Sequence, residues 1–149
     1  MKQDHHGLPL VRDTAHHLIE AINQLDLAEQ RVILMAMLWA HEQGLSIASD
    51  QFISVPASVY AATFELDLQT AYEQLSQVSA SLYKRNITLY DIHQPTGKLR
   101  KIQTRWVSAV GYIPDAALIQ LQFSGMIVPY ITTFEQQSTR ELIAKIISV

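Results

Sequence analysis

With 149 residues, 48% of them apolar and 17% charged, the chain has the size and composition of one compact domain with a buried core. It contains no cysteine, which excludes disulfides and thiolate metal sites and suits a reducing cytoplasm. The net charge of −3 argues weakly against nucleic acid. No apolar run reaches the roughly 20 residues of a membrane span, and Met1–Gly7 is too polar for a secretory signal, so no membrane partner is expected.

In chain order, Val11, Ala15, Leu18, Ile19 and Ile22 recur at helical spacing and predict a first helix over about Pro9–Asn23. Asp26 is placed as an N-cap with Glu29 three residues on, the pattern of a capping box. The helix that follows is expected to reach Gln43 and stop at Gly44. Because Val32–Ala40 is apolar on every side, that helix should run through the middle of the domain. A short strand over Phe52–Val55, ending at Pro56, leads into a short helix over Ala57–Phe64. After the turn Glu65-Leu66-Asp67, Asp67 can cap a longer helix reaching Arg85, with Leu68, Ala71, Tyr72, Leu75, Val78 and Leu82 as its buried stripe.

The period then changes. Ile87–Ile92 favours a strand, Gln94–Lys98 supplies the Pro and Gly of a hairpin turn, and Leu99–Tyr112 reads as one long returning strand, bulged or bent along its length. Pro114-Asp115 turns the chain into a half-buried strand over Ala117–Phe123, where Ile119, Leu121 and Phe123 alternate with Gln120 and Gln122. Two helices near Met126–Thr132 and Ser138–Ile147 complete the order. The fold class expected is α+β: a winged helix-turn-helix, a helical bundle with a small antiparallel sheet, forming a single domain over 1–149.

The charge is unevenly spread. Lys84–Arg105 holds six basic residues and the single acid Asp91, a net +5 that leaves −8 on the rest. Phosphate binding follows the local field, so an acidic body with a basic segment can still bind DNA. A solvated hairpin that blunts a sheet edge is the competing explanation of the same charges. A short helix, a three-residue turn, a longer helix and a basic hairpin follow the order of a winged helix-turn-helix, whose second helix can lie in a major groove. Gln69, Thr70, Gln74 and Gln77 are side chains that read bases or bind phosphate, Lys84 and Arg85 end that helix, and Lys98, Arg100, Lys101 and Arg105 belong to the hairpin. These ten residues are the candidate DNA-binding set.

Leu18-Ile19-Glu20-Ala21 followed by Leu27-Ala28-Glu29-Gln30-Arg31 resembles the opening of the plasmid replication initiator (Rep) family of winged-helix type. The likeness continues through Phe52–Val55, Thr70–Leu75, Leu82–Ile87, Trp106-Val107 and Phe123 with Met126–Ile131. It implies the first, dimerising domain of a two-domain initiator, with the second domain absent from this chain. It further implies a non-enzymatic partner of double-stranded plasmid origin (iteron) DNA, a homodimer, and host replication proteins as further partners. A winged-helix transcription regulator and a purely structural dimerisation module are the alternatives.

Other chemistries find little support. Adjacent histidines (His5-His6, His16-His17) point apart on a helix and make a poor chelate. Glycine-rich phosphate loops, a nucleophile elbow and a defensible carboxylate pair are all missing, so no cofactor, metal or catalytic residue is assigned. Trp39 and Trp106 are expected in the core.

Overall fold

The computed structural model describes residues 16–42, 50–134 and 136–147. Helix α1 covers residues 16–23, and a tight turn leads into α2, Leu27–Glu42. The capping box forms: the Asp26 N–H donates to Glu29 Oε1 at 3.0 Å, and the Gln30 N–H to the Asp26 carbonyl at 2.9 Å. Val32 through Leu38 and Ala40 are all buried, so α2 is the axis on which the other elements pack. Gly44, the expected stop, lies outside the described residues, as do Pro9–Ala15 of the first helix.

Strand β1 (Ile53–Pro56) feeds directly into α3 (Ala57–Phe64). Helix α3 ends at Glu65, whose left-handed backbone (φ 57°) is unusual without glycine. Its N–H donates to the Ala61 carbonyl. Asp67 then caps α4 (Leu68–Ser81), its Oδ1 accepting from the Thr70 N–H at 2.7 Å. That bond holds the Asp67 carboxyl below its ordinary pKa. Of the expected α4 stripe, Ala71, Leu75, Val78 and Leu82 are buried, while Leu68 at the helix start is largely exposed. The α-helix gives way to a 3-10 turn over Leu82–Lys84, one turn before the predicted end.

The strands depart from the sequence expectation at one point. Leu99–Tyr112 is not a single strand: β3 (Lys98–Arg105) and β4 (Val107–Ile113) meet at Trp106 and belong to different sheets. Among the described residues, strand β3 pairs only with β2 (Asn86–His93). Strand β4 pairs with β5 (Leu118–Phe123), which also pairs with β1, giving the antiparallel order β1-β5-β4. The physical cause is Trp106, which is 1% exposed. Driving that indole into the core turns the chain, and its N–H and carbonyl leave the ladders to meet the Arg85 carbonyl and the Ser124 N–H.

Strand β5 has a neighbour on each side and buries Ile119, Leu121 and Phe123. Its Gln120 and Gln122 on the other face bond to Ser54, Ser108 and the Asp50 carbonyl. Helices α5 (Val128–Thr133) and α6 (Gln136–Ile147) follow, with α6 packed on α2.

Candidate nucleic-acid interface

The helix-turn-helix pair is α3 and α4, held at its angle by polar contacts beneath the surface. Tyr60 of α3 donates its hydroxyl to Gln74 Oε1 of α4 at 2.6 Å. Arg31 of α2 reaches the same oxygen at 3.4 Å and stacks over Phe64, 5.2 Å from the ring centroid. Tyr60 is fully buried, and burial pushes its pKa up to about 12, so it stays a neutral donor. Gln74, one of the four polar side chains expected to face DNA, therefore has its amide oxygen committed inside the domain. Gln69 and Gln77 are exposed and Thr70 is half-buried beside the Asp67 cap.

A second lock joins the C-terminal end of α4 to the start of α2. Glu29 is 1% exposed, accepting from Ser81 Oγ at 2.6 Å and from Arg85 Nε at 2.9 Å. Arg85 also meets Asp26 at 2.9 Å. Burial would raise the Glu29 carboxyl, but the hydrogen bonds from Ser81, Arg85 and the Asp26 N–H outweigh it and hold the pKa below its usual value. Arg85 is thus the counter-ion of a buried carboxylate. Lys84 beside it is exposed and carries no side-chain partner.

On the basic hairpin the register divides the cations. Arg100 faces Asp91 and Lys98 faces His93, on the side where Ile87 and Leu89 enter the core. Lys101 opposite Tyr90, and Arg105 opposite Asn86, lie on the other side. Arg100 makes a bidentate bond to Asp91, at 2.9 and 2.7 Å, which lowers the Asp91 pKa. Lys98 lies seven residues from Arg105, roughly 23 Å along an extended strand. The hairpin's four cations therefore cannot all meet one surface.

The hairpin that closes the sheet with β1 is β4–β5, turning at Pro114–Ala116; the basic β2–β3 hairpin is a separate arm inserted before it. This corrects the assignment of the basic hairpin as the wing. The local pattern could not reveal it, because which strand β1 pairs with is a long-range matter. Sequence reasoning also missed Tyr83, which is 44% exposed with Arg105 stacked on its ring at 4.6 Å. Among the described residues, no three of His, Cys, Asp and Glu gather to hold a metal, and no helix is long and apolar enough to cross a membrane.

A helix-turn-helix followed by a hairpin that returns to the preceding strand defines a winged-helix domain. Residues 13–149 match the family described as "Initiator Replication protein, WH1", and the chain belongs to that family. It is similar to the MSBI1.176 WH1 domain, a replication protein isolated from a multiple sclerosis patient. The two are 31% identical over 85% of this chain and 93% of that one, with a TM-score of 0.70. It also shares the fold of the Pi initiator protein solved in complex with iteron DNA, with 20% identity and a TM-score of 0.59. That match covers 84% of this chain, which spans half the length of the Pi chain. No curated protein sequence matches.

Proposed function

We propose that this chain is the first of two winged-helix domains of a plasmid replication initiator, acting in the cytoplasm on duplex origin DNA without catalysis. The observation that carries the reading is the exposed face of α4, where Gln69 and Gln77 lead to the unpaired cations Lys84 and Arg105. Amides and cations at the end of a helix-turn-helix suit groove and phosphate contacts. The Pi chain, of which the match covers half and which was crystallised with iterons, favours an initiator over a self-contained regulator. Of the basic arm, Lys101 shares the side of Arg105 and belongs to the contact surface. Lys98 and Arg100 share the side continuous with the core, and Arg100 is already neutralised by Asp91.

The same domain pairs with a second copy through the basic arm. Strand β5 has no free edge, whereas among the described residues β3 is hydrogen-bonded to β2 alone, and the cross-strand pair Ile92 and Leu99 is exposed, Leu99 at 70%. Host replication proteins recruited at the origin are further partners of this reading.

The test is anisotropy titration of a fluorescent duplex from the cognate origin at several salt concentrations. Lys101→Ala is expected to weaken binding several-fold and to reduce the slope of log K against log salt by about one. Lys98→Ala should change both far less. Salt-independent binding, or equal effects of the two lysines, would overturn this assignment. Sedimentation of the chain alone, with Leu99→Asp expected to shift it toward monomer, tests the pairing; an unchanged dimer would remove β3 from the interface.

A further inference from the structure

Resting on the DNA-binding reading, we propose that Tyr83 and Arg105 form a pre-built clamp for one phosphodiester group of the duplex backbone, with Asn86 and Gln103 as its neutral donors. Arg105 is singular among the described arginines. Arg85, Arg100 and Arg140 are ion-paired to carboxylates, and Arg31 reaches Gln74. Among the described residues, Arg105 has no oxygen partner, only the Tyr83 ring beneath it. A guanidinium lying on an aromatic face keeps its in-plane N–H groups directed outward, so stacking fixes the fork without occupying its donors.

The surroundings suit an anion. A cleft of about 430 Å³ opens beside this pair, lined also by Asn86, Gln103, Thr104 and Ser108, and an adjoining depression continues over Ser79 and Ala80 at the end of α4. No carboxylate lines either part. In the neighbouring cleft under α1, by contrast, Glu20 faces the same side of the hairpin as Lys101. The clamp's backbone is fixed as well: buried Ser124 donates its hydroxyl to the Arg105 carbonyl, and Trp106 next to it is buried. An anchored, stacked and unpaired arginine at the end of β3, beside the C-terminal end of α4, is organised before the ligand arrives, which lowers the ordering cost of binding. A phosphate there takes a bidentate pair of N–H bonds from Arg105.

The experiment measures affinity and salt slope for a duplex from the cognate origin with wild type, Arg105→Ala, Arg105→Lys, Tyr83→Leu and Tyr83→Phe, with thermal melts to verify folding. Arg105→Ala is expected to weaken binding about five- to tenfold and to lower the slope by about one. Arg105→Lys should recover the slope but not the full affinity, since an ammonium lacks the fork. Tyr83→Leu should weaken binding a few-fold, and Tyr83→Phe should recover most of that loss. If Arg105→Ala and Tyr83→Leu bind as wild type does while Lys84→Ala or Lys101→Ala weakens binding, the clamp is wrong and the DNA-binding reading stands. If wild type shows no salt-dependent binding at all, both fail together. Displacement of the duplex by inorganic phosphate at constant ionic strength would make this a free-anion site and overturn the duplex assignment.

Discussion

Two hairpins follow α4, and they divide the work of charge and shape between them. The β2–β3 arm carries Lys98, Arg100, Lys101 and Arg105, yet it is a two-stranded ladder with a wholly exposed tip from Gln94 to Arg100. The β4–β5 hairpin has Asp115 as its single charge, yet it completes the sheet with β1 and buries Ile119, Leu121 and Phe123. An isolated two-stranded ladder is marginal on its own, so the arm depends on the body at its base, through Ile87, Leu89 and Trp106. Stability and ligand affinity should therefore respond to different residues, even though one continuous segment, Lys98–Ile113, contributes a strand to each hairpin.

The largest expected effect comes from the joint itself. Trp106→Ala should cost about 4 kcal/mol in urea unfolding, since it empties a fully buried indole site. Hydrogen exchange should then accelerate in both hairpins. Loss of protection in only one of them would break the comparison.

Next is Glu29→Ala, expected to cost roughly 2 kcal/mol because it leaves Ser81 without its acceptor and Arg85 with Asp26 alone. The pH dependence sharpens the point. The folded Glu29 pKa lies below its ordinary value of 4.5. Its contribution is therefore complete above that value and disappears as pH falls through the lower, folded pKa. Glu29→Gln should flatten the fall in stability as pH drops below about 4.5, and an unchanged acid limb would show that Glu29 is not the group responsible.

The smallest effect belongs to the arm's tip. Leu99→Thr, measured at a dilution where the chain is monomeric, should alter unfolding stability by no more than about 0.5 kcal/mol, as for an exposed surface site. A larger loss would mean that the tip shares in the core after all.

Much of this fold was legible where local chemistry decides. Pro56 and Asp67 bracket α3 and start α4, and the alternation of β5 in the sequence tells its faces apart. What escaped was set at long range. A β-branched run continues across Trp106 without any local sign that the chain changes sheets there. An amide facing inward looks like one facing out, and only Tyr60 and Arg31 reveal where Gln74 turns. Arg85 read as a DNA ligand because its partner Glu29 lies 56 residues earlier. Of the candidate site, the helix pair and the basic segment were readable. The division of its cations between two faces needed the register, and the Tyr83 stack needed side-chain positions.

The turn at Gln94–Gly97 has a consequence for how this domain tolerates changes in length. Gly97 holds φ +68° with no atom within 4 Å of where a side chain would begin, so there is open space around the turn for added residues. Residues added in pairs there lengthen the arm and keep every side chain on its own face. A single residue inserted within β3 would exchange the faces of Lys101 and Arg100. Epitopes or fluorophores can accordingly be grafted at the tip, and length polymorphism in this arm should favour even numbers.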